Sequence, residues 1–333
     1  MISMDNPNKP PLIVIVGPTA CGKTDLAVKL AQYFNGEVVS GDSMQVYRRM
    51  DIGTAKVTAQ EAQGIPHWLI DIREPNEDFS VADFRREAIT CIDDILARGK
   101  QPILCGGTGL YINSILNKYH FSAVKGANAE LRQKLRDELA SQGPQALHDK
   151  LRQVDPEGAE RIHVNDRHRV IRALEVWYAE GKTIDSHWDE PAEEPPYRPI
   201  LIGLTRERAA LYYRIEARVD QMIDKGLVDE VAGLLEEGVS RDAISMQGLG
   251  YRQIASYLQG EFSLDEAIRI IKRDTRHFAK RQLTWFKRDE RIHWFKAEDY
   301  QEGTELFRAV SSVVEENLKE SGMGEGIAGT VPG

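Results

Sequence analysis

The sequence predicts an α/β fold in which helices flank a parallel sheet and an all-helical domain is inserted into the chain. Three observations predict it. The apolar run Leu12–Val16, rich in branched residues, leads directly into a glycine-bracketed loop. Strand-like and helix-like patterns then alternate on both sides of one long stretch, as they do in α/β proteins. That stretch, residues 118–199, contains helical patterns only before the next apolar strand pattern.

Residues 17–24 match the P-loop motif G-x-x-x-x-G-K-[ST] at each specified position. In such a loop the backbone N–H groups and the start of a helix bind phosphate, Lys23 neutralises its charge, and the Thr24 hydroxyl helps to hold Mg²⁺. The glycines let the backbone approach the oxyanion. We therefore expect a P-loop NTPase-like core, a Mg²⁺ cofactor and a phosphate ester bound by Gly17, Pro18, Thr19, Ala20, Cys21, Gly22, Lys23 and Thr24.

The first part of the chain supplies the elements that this fold requires. After the loop, apolar residues recur every four positions, which predicts a helix, and Asn35-Gly36 ends it. Ser80 and Asp83 form a capping-box signature in front of a further apolar stripe. The elements predicted here are a helix carrying Leu26, Leu30 and Phe34, a strand at 37–40, a connection at 66–75, a capped helix with the stripe Val81, Phe84, Ala88, Ile92 and Ile95, and a strand at 102–105.

The second part of the chain defines the domain boundaries. We expect the core to comprise residues 10–117 and 200–316, the helical insertion residues 118–199, and a disordered tail residues 320–333, which are rich in glycine and small residues. Within the resumed core the patterns predict a strand at 199–204, a helix at 206–224, a break at Gly226 with a second helix through Leu235, a long helix opened by the capping box Ser263-x-x-Glu266, and an edge strand at 292–295.

Composition restricts the class of protein. The longest wholly apolar run is five residues, which is too short to span a membrane, and residues 1–11 lack a signal-peptide core, so we expect a cytoplasmic location. The three cysteines are odd in number and have no zinc-site spacing. The net charge of −9 argues against a nucleic-acid partner, but residues 269–291 contain nine Lys or Arg against three acids, a local charge of +6.

Four side chains outside the loop are candidates for chemistry. Asp42 follows a strand beside the P-loop, where a carboxylate could be a general base, a magnesium ligand or a helix cap. Thr108 lies in a glycine-rich turn after the neighbouring strand and could bind substrate or stabilise the turn. Arg214 and Arg218 are four residues apart on a helix, which suits either an anion clamp or an ordinary solvated face.

Three groups of residues could contact RNA, although each also fits a plain surface. Arg167, His168, Arg169 and Arg172 begin the most regular helix of the insertion. An amide, an aromatic ring and a guanidinium, suited to reading and stacking on an unpaired base, occur together in Gln247, Gly248, Gly250, Tyr251 and Arg252. Arg276, Lys280, Arg281 and Thr284 follow helical spacing and suit backbone phosphates.

The combined motifs resemble the tRNA dimethylallyltransferase family, also called tRNA isopentenyltransferases. The matching segments are 17–24, 41–47 (Gly-Asp-Ser-Met-Gln-Val-Tyr), 50–56 (Met-Asp-Ile-Gly-Thr-Ala-Lys), 106–111 (Gly-Gly-Thr-Gly-Leu-Tyr) and 250–253 (Gly-Tyr-Arg-Gln). The resemblance extends over roughly residues 10–297, and the order of the motifs is specific. The sequence departs from the family at Cys21, where Ser is usual, and at His168-Arg169, where Gln-Arg is frequent.

The resemblance implies that the loop holds dimethylallyl diphosphate and that the acceptor is N6 of the adenosine immediately 3′ of a tRNA anticodon. It implies catalytic roles for Lys23, Asp42, Thr108 and Arg218, with Arg214 also at the donor. The insertion would contact the anticodon stem-loop, and the enzyme would act as a monomer. The implied tRNA contacts are Asp42, Ser43, Met44, Gln45, Thr108, Arg132, His168, Arg169, Arg172, Gln247, Gly248, Gly250, Tyr251, Arg252, Arg276, Lys280, Arg281 and Thr284.

Two other functions remain open at this level. A small-molecule or nucleoside kinase would use the same loop for nucleotide binding, with ATP as donor and Asp42 deprotonating a hydroxyl. A non-catalytic RNA-binding or phosphate-sensing protein would have lost Lys23 or Thr24, and both are present.

Overall fold

The computed structural model describes residues 9–117, 129–183, 194–301 and 303–319. The predicted disordered tail, 320–333, lies outside the described residues. The chain divides into two units, one formed by residues 1–117 together with 195–333 and the other by residues 118–194.

The first unit is built on one sheet of six parallel strands in the order β3-β2-β4-β1-β5-β6. Every residue of the central strand β1 is buried, as expected for a parallel sheet covered on both faces. The predicted α/β class with a P-loop NTPase-like parallel sheet is therefore confirmed. The strands are β1 (Pro11–Val16), β2 (Gly36–Ser40), β3 (His67–Trp68), β4 (Gln101–Gly106), β5 (Arg198–Thr205) and β6 (His293–Lys296).

Twelve α-helices are assigned in the described residues, and three of them, α5 to α7, belong to the second unit. Their bounds are α1 (Lys23–Tyr33), α2 (Ala59–Ala62), α3 (Val81–Ala97), α4 (Gly109–Leu116), α5 (Ala129–Val154), α6 (Pro156–Arg161), α7 (Arg167–Glu180), α8 (Arg208–Asp224), α9 (Leu227–Glu236), α10 (Tyr251–Leu258), α11 (Leu264–Phe286) and α12 (Gly303–Lys319).

Side chains of β1 alternate between two hydrophobic cores. Val14 packs in the core that contains α3, whereas Ile13 and Ile15 pack in the core that contains α1 and α12. The capping box of α3 forms as predicted, because the Ser80 and Asp83 side chains each bond the other's backbone N–H. The capping box of α11 is half formed: Ser263 accepts from Glu266 N, but the Glu266 carboxylate pairs with Arg269.

One prediction about the sheet was wrong. Residues 66–75 were expected to be a connection, but His67 and Trp68 pair with Val38 and Val39 as the edge strand β3. Two residues are too few to show the alternating pattern by which a strand is recognised.

The second unit has its own hydrophobic core. Helix α5 is interrupted at Gly143, whose φ of 82° lies outside the helical region, and Pro144 follows. The core joins both halves of α5 to α6 and α7 through Leu135, Leu147, Leu151, Ala159, Val170 and Leu174. The helical character predicted for this stretch is therefore present in residues 129–180.

No helix in the described ranges is both long and apolar enough to cross a bilayer. All three cysteines are free thiols.

Glu37 in β2 is a buried acid that several neighbouring side chains hydrogen-bond. Its carboxylate is 1% exposed and accepts hydrogen bonds from Arg98, Lys100 and Trp68 Nε1. The Arg98 hydrogen bond is the largest influence, and the pKa of Glu37 is lowered to about 2.

Replacing Glu37 with Gln is expected to lower the free energy of unfolding at pH 7 by about 2 kcal/mol. The lowered pKa sets an upper limit of about 3 kcal/mol, and the partial exposure of Arg98 and Lys100 reduces it. Because the folded pKa is below the unfolded one, this contribution is complete above pH 4.5 and is lost as the pH falls through about 2. Urea unfolding of both proteins across this range measures it. The matched control is Asp94→Asn, which removes an exposed carboxylate from the same arginine; an equal loss in both variants would contradict the prediction.

Candidate active site at the carboxyl edge of the sheet

The P-loop connects β1 to α1 and depends on two glycines. Gly17 has a φ of 146°, and a Cβ there would lie 2.1 Å from the backbone oxygen of Leu204 in β5. Gly22 has a φ of 106° and precedes the first turn of α1. Side chains at these positions would displace the neighbouring strand or strain the loop, so the loop's path is fixed by its contact with β5.

Two arginine side chains donate hydrogen bonds to backbone carbonyl groups of the P-loop. Arg206 Nε donates to Cys21 O at 3.1 Å, and Arg214 Nε donates to Ala20 O at 2.9 Å. Because the C=O of one residue and the N–H of the next are antiparallel across a trans peptide, these bonds direct the N–H groups of Cys21 and Gly22 away from the arginines. The guanidinium groups therefore orient two of the amides that a phosphate-binding loop presents to its anion.

Arg206 was not predicted. The signal available in the sequence was its position, since it directly follows β5, whose carboxyl end lies at the same edge of the parallel sheet as the P-loop. Its NH1 group also pairs with Glu298 at 3.1 Å, which holds the guanidinium in place.

The loop opens on a cleft of 1030 Å³. Lys23, Thr24, Asp42, Arg214 and Arg218 all line it, so the structure brings these predicted residues together. Lys23 Nζ donates to Pro18 O at 2.8 Å. Further lining residues provide an apolar surface: Ile52, Ile70, Met222 and Phe278.

Arg218 has the character of an anion-binding group. It is half-buried and forms no hydrogen bond or ion pair with the described part of the chain. Burial, followed by the neighbouring charge of Arg214, lowers its pKa. A desolvated guanidinium near a second positive charge is stabilised when an anion binds to it, which favours the predicted anion clamp over a solvated helix face.

Asp42 follows β2 and lines the cleft. Its Oδ1 accepts a hydrogen bond from Met44 N at 2.9 Å, which fixes the carboxylate against its own turn. Desolvation raises the pKa of Asp42 above its ordinary value, although the backbone N–H of Met44 and the charge of Lys23 oppose the change. A carboxylate with a raised pKa is better suited to accept a proton than an ordinary surface carboxylate. It does not cap a helix, so that alternative is excluded.

Thr108 joins the Asp42 turn to the glycine-rich loop after β4. Its Oγ1 accepts from Ser43 N at 3.1 Å and lies 3.3 Å from Ser43 Oγ. Thr108 is the N-cap residue of α4 without capping it through the side chain. The hydroxyl therefore stabilises the turn, as one alternative proposed, and it is not among the residues that line the cleft.

A second residue that sequence reasoning missed is Gln282 of α11. Its Oε1 accepts from Thr19 N at 2.9 Å, and its Nε2 donates to Gly107 O at 2.9 Å. Gln282 thus connects the P-loop with the glycine-rich loop. The only signal in the sequence was a glutamine within a basic helix, which does not by itself suggest a contact with two distant loops.

Tyr251, whose ring was considered for stacking on an unpaired base, is buried and begins helix α10. Tyr251 is 1% exposed, and its hydroxyl donates to Glu230 at 2.6 Å. Gly53 packs directly on the ring. Burial also removes Gly248 and Gly250 from the surface, whereas Gln247 and Arg252 are exposed; Gln247 donates to Arg241 O and Arg252 pairs with Asp274.

The residues after Asp42 are engaged within the protein. Ser43 bonds Thr108, and the Met44 sulfur lies beside Gly248. Gln45 accepts from Ser40 Oγ at 2.9 Å and donates to Thr54 O at 3.3 Å. All three are half-buried, so they shape the Asp42 turn, with Gln45 also lining the cleft.

The basic helix α11 presents two different faces. Arg276 and Lys272 pair with Glu216 and Asp220 of α8, so Arg276, expected to contact RNA, is instead half-buried in an ion pair. Lys280 and Arg281, by contrast, are exposed and form no ion pair with the described residues. Spacing at i, i+3, i+4 and i+7 gives one exposed row, called here the α11 stripe: His277, Lys280, Arg281 and Thr284.

In the second unit, some of the predicted RNA contacts are paired with a buried acid and others are exposed. Arg132 Nε and Arg172 NH1 bond the carboxylate of Glu175, whose side chain is 3% exposed, at 2.5 and 3.3 Å. Arg132 therefore neutralises a buried acid and is not a free surface cation. His168 and Arg169 are exposed in the first turn of α7, with Arg169 pairing to Asp166 at 3.4 Å.

A metal would find few protein ligands here. Within the described ranges, no three His, Cys, Asp or Glu side chains come together in a metal-binding arrangement. The cleft does contain the Thr24 hydroxyl and the Asp42 carboxylate, and these hard oxygen donors fit Mg²⁺, which is typically held by one or two protein groups together with phosphate oxygens and water.

The fold and site together define a P-loop α/β protein whose cleft is lined by a lysine, two arginines and a half-buried carboxylate, and whose helix α11 has one exposed basic face. Comparison with known proteins shows which family within this class the chain resembles. A family model described as IPP transferase matches residues 45–289, and the chain is 52% identical over 299 residues to the tRNA dimethylallyltransferase of Thermoanaerobacter sp. (strain X514), covering 89% of this chain and 94% of that protein.

Two solved structures are similar. The tRNA isopentenylpyrophosphate transferase of Bacillus halodurans superposes with a TM-score of 0.72 at 46% identity, covering 94% of this chain and 98% of that one. A eukaryotic dimethylallyltransferase acting on tRNA superposes with a TM-score of 0.78 at 30% identity, covering 94% and 80%. The chain belongs to the IPP transferase family.

Replacing Arg206 with Lys is expected to weaken binding of inorganic diphosphate about tenfold, because an ammonium group cannot hold both the Cys21 carbonyl and Glu298 as the planar guanidinium does. Isothermal titration with Mg²⁺ present measures the affinity. Arg208→Lys is the matched control, since Arg208 contacts Tyr212 and not the loop. Equal affinities in the two variants would show that Arg206 does not orient the loop.

Proposed function

We propose that this enzyme transfers the dimethylallyl group of dimethylallyl diphosphate to N6 of the adenosine immediately 3′ of the anticodon in tRNA, releasing diphosphate. The observation that carries the proposal is the cleft, which a P-loop lysine, two arginines and the half-buried carboxylate of Asp42 line together. The relatives' activity on tRNA supports the choice of acceptor.

The two ends of the donor would fit different parts of the cleft. The diphosphate would lie on the N–H groups of Cys21 and Gly22, with Lys23, Arg214 and Arg218 around it. Its dimethylallyl group would rest on the apolar surface of Ile52, Ile70, Met222 and Phe278. A nucleotide would place an adenine and a ribose in this same volume, which is the alternative that the kinase hypothesis requires.

Charge develops on the leaving diphosphate as the allylic C–O bond breaks. Lys23 and Arg218, which line the cleft, would stabilise that charge in the transition state. A bound Mg²⁺ would share this task by neutralising the diphosphate oxygens. Thr24 would supply one oxygen ligand to it, and the diphosphate would supply others.

The acceptor amine must lose a proton as the new C–N bond forms. Asp42 would accept this proton, because its raised pKa and fixed position suit a general base. Thr108 would keep the Asp42 turn in place through Ser43. An adenine stacked in an RNA loop cannot reach a cleft, so the base would be flipped out of its stack.

The α11 stripe would bind the RNA backbone, and residues 118–199 would contact the anticodon stem-loop through the exposed His168 and Arg169. A basic face on an acidic protein confines RNA to one surface. Since one chain supplies every group named in the reaction, a monomer suffices.

The test of the proposed function is incubation of the protein with dimethylallyl diphosphate, Mg²⁺ and unmodified tRNA, followed by mass analysis of the nucleosides. We expect one adenosine per tRNA to gain a dimethylallyl group. ATP turnover without RNA, and no modified nucleoside, would instead support the kinase.

Replacing Asp42 with Asn is expected to lower the single-turnover rate by about 10² to 10⁴, with both substrates still bound, because the amide cannot accept a proton. In the wild type, kcat/KM should fall with decreasing pH through a pKa higher than that of an ordinary aspartate, and this acid limb should be absent in the variant. Recovery of the variant's rate at high Mg²⁺ would identify Asp42 as a magnesium ligand instead.

Replacing Lys280 or Arg281 with Ala is expected to reduce the slope of log affinity for tRNA against log salt by about 0.7 to 0.9 each, since a phosphate contact releases roughly one counterion. Lys272→Ala is the matched control, because Lys272 pairs with Asp220. Salt titrations of tRNA binding by all three variants measure these slopes. Parallel slopes throughout would show that the α11 stripe is an ordinary solvated face.

A further inference from the structure

Gln282 is a buried polar side chain of the cleft that contacts two of its loops, and it has no part in the proton transfer or the charge stabilisation proposed above. It is 7% exposed and lines the cleft. Its partners are the donor loop at Thr19 and the loop at Gly107, which leads to Thr108. These partners are 263 and 175 residues away in sequence.

The orientation of the Gln282 carboxamide is fixed by chemistry. Thr19 N can only donate a hydrogen bond, and Gly107 O can only accept one. The carboxamide satisfies both at 2.9 Å, so a flipped amide would lose both bonds. Because a buried amide left unsatisfied is costly, the side chain acts as a rigid connection between the two loops.

The packing around Gln282 leaves little freedom for these loops to move. A Cβ at Gly107 would lie 2.2 Å from Gln282 Nε2, and one at Gly109 would lie 2.3 Å from the ring of Trp285. Helix α11 therefore packs directly on the backbone of residues 107–109. The glycines allow the close approach that a short carboxamide needs to reach both loops.

We propose that Gln282 is a positioning residue that sets the distance between the donor diphosphate on the P-loop and the acceptor amine near Asp42 and Thr108. The inference rests on the proposed function. Transfer between two bound substrates requires the reacting atoms to approach to about 3 Å, and a displacement of about 1 Å can cost 10²-fold in rate. Gln282 controls such a displacement without touching the reacting atoms.

A misaligned donor has an alternative fate that reports on positioning. When the allylic C–O bond breaks without an amine in place, a water oxygen can form the new C–O bond. The products are then dimethylallyl alcohol and diphosphate, and the water releases one proton. The ratio of alcohol to modified tRNA therefore measures how well donor and acceptor are aligned, and a loss of folded protein does not change it.

The experiment compares Gln282→Met and Gln282→Glu with the wild type. Methionine keeps the length of the side chain and loses both hydrogen bonds, whereas glutamate can accept from Thr19 N but cannot donate to Gly107 O. The matched control is Gln259→Met, because Gln259 is exposed and bonds Arg241, remote from the two loops. Rates are measured per active site, in single turnover with saturating tRNA, and alcohol is quantified alongside modified tRNA.

For Gln282→Met we expect a rate about 10- to 100-fold lower than that of the control. The ratio of alcohol to modified tRNA should rise, and tRNA affinity should be unchanged. Gln282→Glu should show the same direction of change, so either variant that folds provides the test. Rates within about twofold of the control, with an unchanged ratio, would overturn the proposal. Failure of the wild type to modify tRNA would instead overturn the proposed function.

Discussion

The parallel arrangement of β2, β4, β1 and β5 is the constraint on which the site depends. Parallel strands end at one edge, so the P-loop, the Asp42 turn, the glycine-rich loop at 106–109 and Arg206 all emerge there. The strands are buried on both faces and held by apolar packing. The polar loops therefore need little stabilising energy of their own, and their side chains are free to face the cleft.

Close backbone contacts then fix how these loops fit together. Gly17 lies against β5, Gly106 against the backbone of Gly41, and Gly107 against Gln282. At each of these contacts a methyl group would overlap an atom of the neighbouring segment. The loop motifs are rich in glycine because the backbones of three loops and one helix share a small volume, in addition to the need for N–H groups near a phosphate.

The sequence was sufficient to predict five of the six strands, the P-loop and the position of Asp42 after β2, because apolar periodicity and a spaced motif depend on neighbouring residues. It did not predict Arg206 or Gln282, since their roles arise from contacts between segments distant in sequence. At Tyr251, Arg132 and Arg276 the sequence suggested a contact with RNA, whereas the structure shows a contact within the protein. Their residue types suit RNA, but whether an aromatic ring or a guanidinium reaches the surface depends on Glu230, Glu175 and Glu216, which no local pattern identifies.

The distance in sequence between Thr19 and Gln282 also has a consequence for biosynthesis. The P-loop leaves the ribosome before its partner in α11, which follows 263 residues later. At 5 to 20 residues per second this interval is roughly 13 to 50 s. During that time the nascent chain contains the P-loop motif but not Gln282, which accepts a hydrogen bond from Thr19 N in the folded protein. Premature termination before α11 would therefore release a polypeptide that has the phosphate-binding motif and no aligned catalytic centre.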